Sequence, residues 1–211
     1  MITLQVGDPA ALDAAAEALG GGGLVLLPTD TVYGVAVRPG DDEALARLFR
    51  AKARPVERQI PVLAASLGQV AELGVRFNEL AADLARRYWP GALTMVLAFS
   101  EGRPRPSWLE RREEVAVRIP DLDFLRRLME RTGVLLVTSA NSHGRETPAE
   151  AAEAARSLHE PVDVVVDAGP LVARPSTLVN LAPSPPRVER PGPLPADELS
   201  SLGLLSASEP E

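Results

Sequence analysis

Five short polar segments carry most of the side chains in this sequence that could bind or transform a ligand. Lys52-Ala53-Arg54-Pro55-Val56-Glu57-Arg58 sets three cations within seven residues. A compact ammonium beside planar guanidinium forks suits an anion or phosphate. Lys52 is the single lysine among 22 basic residues, so this position departs from the arginine usage of the chain. A solvated helix end, its cations complementing the dipole, is the plain alternative for the same residues. Pro28-Thr29-Asp30-Thr31-Val32-Tyr33-Gly34 is a hydroxyl-rich segment that could equally be an Asx-capped turn. Thr138-Ser139-Ala140-Asn141, with Thr147-Pro148 beyond it, offers hydroxyl and amide groups to a sugar, base or carboxylate. Arg174-Pro175-Ser176-Thr177 and Arg190-Pro191-Gly192 each place an arginine before a proline, which restricts the backbone and the reach of the guanidinium.

Other chemistries are excluded by composition. With no cysteine there is no thiol nucleophile, disulfide or thiolate metal site, and with only His143 and His159 a multi-histidine metal site is also out. The glycine run 20–23 has no Gly-Lys-Ser/Thr after it, so it is no Walker A loop. No G-x-G-x-x-G follows a strand, and neither H-E-x-x-H nor G-x-S-x-G occurs. The formal net charge of −7 disfavours a protein that grips nucleic-acid backbones nonspecifically.

The elements that must position these segments alternate in type. Asp8-Pro9 opens a helix over 10–19 that the glycine run stops, and 24–27 reads as a buried strand. Asp41 caps a helix to about residue 51, and 60–65 is a strand. Leu80, Leu84 and Tyr88 stack at i, i+4 and i+8 on a helix over 77–88, closed by Trp89-Pro90-Gly91. Strands follow at 93–99 and 115–119, then a helix at 123–131, a strand at 134–137 and a helix at 149–158. Strands at 162–166 and 177–181 complete the pattern, and 199–211 reads as a short helix and frayed acidic tail. Helices alternating with apolar strands predict an α/β fold, and the neighbours over 93–119 predict a mixed sheet. With 211 residues one sizeable domain is expected. No signal peptide or membrane-spanning run is visible, so a cytoplasmic protein is expected.

Taken together in order, PTDTVYG, KARPVER, WPGALT, VAVRIP, TSAN, PST and ERPG resemble the YrdC-like family of threonylcarbamoyl-AMP synthases. The resemblance covers about residues 8 to 195. It implies a single-domain, twisted mixed α/β sheet with flanking helices around a concave basic cavity. The implied catalytic domain is 1–195, with 196–211 a short C-terminal helix and tail. The implied reaction joins L-threonine, bicarbonate and ATP into threonylcarbamoyl-AMP and pyrophosphate, with Mg²⁺ riding on the ATP. The product would pass to the transferase machinery that makes threonylcarbamoyladenosine next to the tRNA anticodon, while tRNA itself would bind this chain weakly if at all. By the same resemblance Thr31, Arg118 and Ser176 fall at threonine-binding positions. Lys52, Arg54, Arg58, Ser139, Asn141, Thr147 and Arg190 fall at ATP-binding positions, with Lys52 and Arg54 in the catalytic role.

This chain also departs from the pattern. Glu114 stands where longer members carry threonine, and an acid there must point away from the phosphates or meet the magnesium. Such chemistry needs positioning and charge neutralisation rather than an enzyme nucleophile, which suits a site of Arg, Lys, Ser, Thr and Asn. Two other readings share these residues: an RNA-binding or ribosome-maturation module, and a sister-branch nucleotide-binding carbamoyl or acyl transferase. If Lys52 faces the cavity, Lys52→Arg should spare folding and reduce turnover.

Overall fold

The computed structural model describes residues 1–53, 59–142, 144–171 and 174–206. In chain order the elements are β1 (Ile2–Gln5), α1 (Ala11–Gly20), β2 (Val25–Leu27), β3 (Gly34–Val37) and α2 (Asp42–Lys52). Then come β4 (Val62–Leu63), α3 (Leu67–Glu72), α4 (Glu79–Tyr88), β5 (Leu93–Ala98), β6 (Glu114–Arg118) and α5 (Asp123–Thr132). The chain continues through β7 (Leu135–Ser139), α6 (Ala151–Arg156), β8 (Val164–Asp167), β9 (Thr177–Asn180), β10 (Arg187–Arg190), α7 (Ala196–Ser201) and β11 (Leu205–Ser206). Among the described residues the strands form one sheet in the order β1-β8-β2-β3-β7-β4-β6-β5-β9-β10-β11. The sheet is mixed, as expected: β5 runs antiparallel to β6 and parallel to β9.

Strand periodicity divides the core into two layers. Leu24, Leu26, Val35, Val37, Leu136 and Val165 pack on one face with α2, α4 and α6. Val25, Leu27, Ala36, Leu135, Val137, Val164 and Val166 point to the other, where α1 and α5 cover them. Register then sets the site. Gly34 stands opposite Ser139, Leu63 opposite Arg118, Ala116 opposite Val96 and Thr94 opposite Leu178. These residues line one cavity, which therefore occupies the stretch from β3 and β7 to β9. Among the described residues no helix is long and apolar enough to cross a membrane.

Several elements differ from the sequence expectation. Asp8 accepts the Ala10 amide, yet regular helix begins only at Ala11. Asp41 caps α2 as expected, taking the Ala44 amide at 2.9 Å. The strand expected over 60–65 contracts to Val62–Leu63. The strands β1, β3 and β10 and the helix α3 have no counterpart in the periodicity reading. β1, at the sheet edge, and β10, between β9 and β11, are both largely exposed, with little apolar alternation to detect. The last helix covers 196–201 rather than starting at Leu199, and β11 follows it, pairing with β10. Leu199 and Leu204 are buried in the main core cluster, so this end packs on the sheet.

Gly192 shows how tightly the segment after β10 is held. A Cβ there would lie 2.4 Å from the Thr177 amide nitrogen and 2.7 Å from the Pro175 carbonyl oxygen, both backbone atoms. Gly192→Ala must therefore push two backbone segments apart, at an expected cost of about 1–3 kcal/mol. Thermal unfolding checks this, and a melting temperature equal to wild type would show that the segments part freely.

Candidate active site

Arg118 ends β6 and is only 5% exposed. Three groups from distant parts of the chain hold it. Nε donates to the Gly91 carbonyl at 3.0 Å, Nη1 to Thr31 Oγ1 at 2.9 Å and Nη2 to Asp30 Oδ1 at 2.6 Å. Burial lowers its pKa while the Asp30 carboxylate pulls it back up. Gly91 reaches this carbonyl position with φ at 159°, where a Cβ would come within 2.7 Å of the Tyr88 carbonyl oxygen. Glycine in the WPG segment thus follows from close backbone approach.

Arg190 ends β10 across the cavity. Its Nε and Nη2 donate to the Ser176 carbonyl at 3.1 and 2.9 Å, and Nη2 lies 3.3 Å from Ser176 Oγ. Ser176 Oγ and Thr94 Oγ1 share a hydrogen bond of 2.7 Å. Burial lowers the Arg190 pKa, and the charge of Arg118 lowers it further. A guanidinium disfavoured by burial and by a second cation across the cavity is relieved by an anion between them. The cavity holds about 490 Å³ and is lined by Thr31, Thr94, Arg118, Ser139, Ser176 and Arg190, among others.

Lys52 occupies a different place from the one its sequence context suggests. The last residue of α2, it is 2% exposed, and the left-handed Ala53 (φ 47°) ends the helix behind it. Its Nζ donates to the Ser139 carbonyl, to the Asn141 carbonyl at 2.7 Å and to Asn141 Oδ1 at 3.1 Å. Asn141 Oδ1 also accepts from Ser139 Oγ, and more distantly from Thr147 Oγ1 at 3.5 Å. The Asn141 amide nitrogen donates to the carbonyls of Ser142 and Arg145. Lys52, Ser139, Asn141 and Thr147 therefore form one cluster, of which Ser139 lines the cavity and Lys52, Asn141 and Thr147 do not. Arg54 and Arg58 lie outside the described residues.

Among the described lining residues Arg118 and Arg190 are balanced by Glu114 and Glu189, so the basic cavity implied by resemblance is not evident in this part of the wall. Glu114 faces the cavity rather than away from it. Asp30, Thr29 and Thr94 hold the expected site residues in place and were not singled out individually from sequence. Each lies inside a motif, but only the folded register shows what it touches. Tyr33 Oη donates to the Gly169 carbonyl at 2.7 Å and accepts from the Ala168 amide at 2.9 Å, which ties β3 to the end of β8. Burial, ahead of the nearby Asp167 carboxylate, pushes this phenol up to about 12.

Known proteins resemble this chain over most of its length. The Sua5/YciO/YrdC family model, described as telomere recombination, matches residues 17–192. A threonylcarbamoyl-AMP synthase of Pyrococcus abyssi is 35% identical over 183 residues, spanning 86% of this chain and 54% of that protein. One of Bacillus subtilis is 31% identical over 201 residues, spanning 94% of this chain and 58% of its own length. The chain thus spans little more than half the length of these curated relatives. The crystal structure of P. abyssi Sua5 complexed with L-threonine superposes with a TM-score of 0.86 at 32% identity, covering 98% of this chain and 62% of that one.

The buried position of Lys52 changes what its substitution should do. Lys52→Met removes the donor from two backbone carbonyls and Asn141 Oδ1, at an expected cost of about 1–3 kcal/mol. Lys52→Arg must fit a larger planar group where an ammonium sits and is expected to cost about 1–3 kcal/mol. Thermal unfolding measures both. Melting temperatures unchanged in both variants would return Lys52 to an exposed, phosphate-facing role.

Proposed function

The chain belongs to the Sua5/YciO/YrdC family, and we propose that it is an L-threonylcarbamoyladenylate synthase. Its substrates would be L-threonine, bicarbonate and ATP, and its product would serve threonylcarbamoyladenosine formation in tRNA. The observation that carries this reading is the pair Arg118 and Arg190, two partly desolvated guanidiniums facing one hydroxyl-lined cavity. Relatives named threonylcarbamoyl-AMP synthase and the superposable structure complexed with L-threonine support it.

The proposed reaction has two bond-forming steps. The neutral amine of threonine attacks the carbon of CO2 derived from bicarbonate, forming the C–N bond and releasing a proton. A carbamate oxygen then attacks the α-phosphorus of ATP, and the P–O bond to pyrophosphate breaks with its electron pair. Arg118 would receive the threonine carboxylate, held rigidly by Asp30, Thr31 and Gly91. Ser176, locked by Thr94 and Arg190, would face the same substrate. Arg190 and Ser139 would meet the nucleotide, and Lys52, Asn141 and Thr147 would shape the turn that presents Ser139. Arg54 and Arg58 are proposed as phosphate partners from their sequence context alone. Preorganised cations and hydroxyls aimed at developing charge supply the catalysis, with no covalent intermediate on the protein.

Among the described residues no three metal-ligating side chains gather. This donor set fits a Mg²⁺ that enters on the ATP phosphates, with Glu114 as the lining carboxylate able to meet it. Such an ion would neutralise phosphate charge.

Purified protein with Mg·ATP and bicarbonate is expected to release pyrophosphate only when L-threonine is present. Serine should be a poorer substrate, because one methyl group discriminates by about 1–3 kcal/mol. Equal release without any amino acid would overturn the synthase reading. A submicromolar, sequence-selective tRNA complex at near-physiological salt would favour the RNA-binding reading instead.

A further inference from the structure

Two neighbouring residues of β10 face the same cavity, which a regular strand does not allow. Successive side chains of a strand point to opposite faces, yet Glu189 and Arg190 both line this cavity. A bulge is the cause. Val188 stands opposite Val179 and Arg190 opposite Leu178, so Glu189 is the extra residue between two consecutive partners. Val188 and Val179 belong to the core, while Leu178 lines the cavity. Without the extra residue Arg190 would turn away from Leu178 to the core face. The bulge therefore sets an acid beside an arginine on one wall.

The acid is held as well as aimed. Asn180, 5% exposed, accepts the Ala182 amide on Oδ1 at 2.9 Å and donates from Nδ2 to Glu189 Oε1 at 2.7 Å. Its amide group cannot turn over without losing both bonds. Arg187 Nε also lies on the Oε1 side, at 3.9 Å. Among the described residues no hydrogen bond reaches Oε2. Arg190 is turned to Ser176, so the two neighbours do not neutralise each other. A carboxylate has no proton to offer and repels phosphate, so what it takes from a ligand is a donor.

We propose that Glu189 reads the sugar of the nucleotide, Oε2 accepting a ribose hydroxyl, and so selects ribonucleotides. The inference rests on the ATP reading above, in which Arg190 meets the nucleotide. A nucleotide carries its sugar next to the α-phosphate and its base beyond the sugar. An acceptor one residue from the arginine therefore meets the ribose hydroxyls before it meets the base. An acidic side chain on a ribose hydroxyl is a recurrent solution in nucleotide sites. Here the bulge supplies it beside the cation.

Calorimetric Kd values for ATP and for 2′,3′-dideoxy-ATP, both with Mg²⁺, test the proposal. In wild type the dideoxy nucleotide is expected to bind about tenfold more weakly or worse, the worth of a hydrogen bond to a charged group. Glu189→Ala removes the acceptor and also a negative charge near the phosphates. That charge acts on both nucleotides alike, so the ratio of the two Kd values isolates the hydroxyl contact and should fall severalfold. Glu189→Gln keeps the shape but loses the charge that strengthens the bond. The ratio should fall there too, which decides the matter if the alanine variant does not fold. An unchanged ratio would overturn the proposal, and weaker threonine binding beside it would assign the carboxylate to the substrate amine. Equal affinity of the two nucleotides in wild type would overturn it without any substitution. A wild type that binds neither nucleotide would overturn the ATP reading itself, and this inference with it.

Discussion

A buried arginine, Arg118, only 5% exposed, is the constraint around which this site is organised. Burying a charge costs several kcal/mol unless partners replace the water it gives up. Arg118 therefore requires the turn after β2, the turn after α4 and the end of β6 to meet at one point. Asp30 supplies the counter-charge, Thr31 a hydroxyl and Gly91 a carbonyl. These segments are 27 to 88 residues away from Arg118 in the chain. The same arrangement that satisfies the charge also aims it, since the side chain has little freedom left once three of its N–H groups are held. Stability and preorganisation here share one set of contacts.

Lys52 and Arg118 show two uses of a buried cation. Lys52 organises backbone: it gathers the carbonyls of residues 139 and 141 around one ammonium and braces the turn that ends β7. A compact ammonium with rotatable donors suits that task, whereas a planar fork would not reach three acceptors so arranged. Arg118 stands at the cavity wall with its partners on the protein side. Arg190 is the least enclosed of the three, and its bonds run to a single neighbour, Ser176. The gradation from buried brace to wall to rim follows the sheet outward from β7 to β10.

Charge at the described wall is balanced rather than uniformly basic. Glu114 and Glu189 face the same space as the two arginines, and Glu189 is engaged by the Asn180 amide at 2.7 Å. A balanced wall disfavours indiscriminate binding of anions and leaves local pairs to decide orientation. It also leaves Glu114 as a carboxylate facing the cavity.

The sequence by itself determined the α/β class, the mixed sheet and several of the segments that line the cavity. Those properties rest on local signals: apolar periodicity, the Asp41 cap, and polar motifs at strand ends. It did not determine β1 or β10, because strands with most side chains in solvent bury too few to leave a periodic trace. It did not determine what Lys52 does, because a cation at a helix end looks the same whether it faces solvent, a phosphate or a backbone turn. Only the tertiary structure decided that, by bringing residues 139–141 over the end of α2 from 87 residues away. The roles of Thr29, Asp30 and Thr94 were decided the same way. A hydroxyl or carboxylate acquires direction only from its partners, and for Asp30 and Thr94 those partners arrive through strand register, which no local pattern encodes.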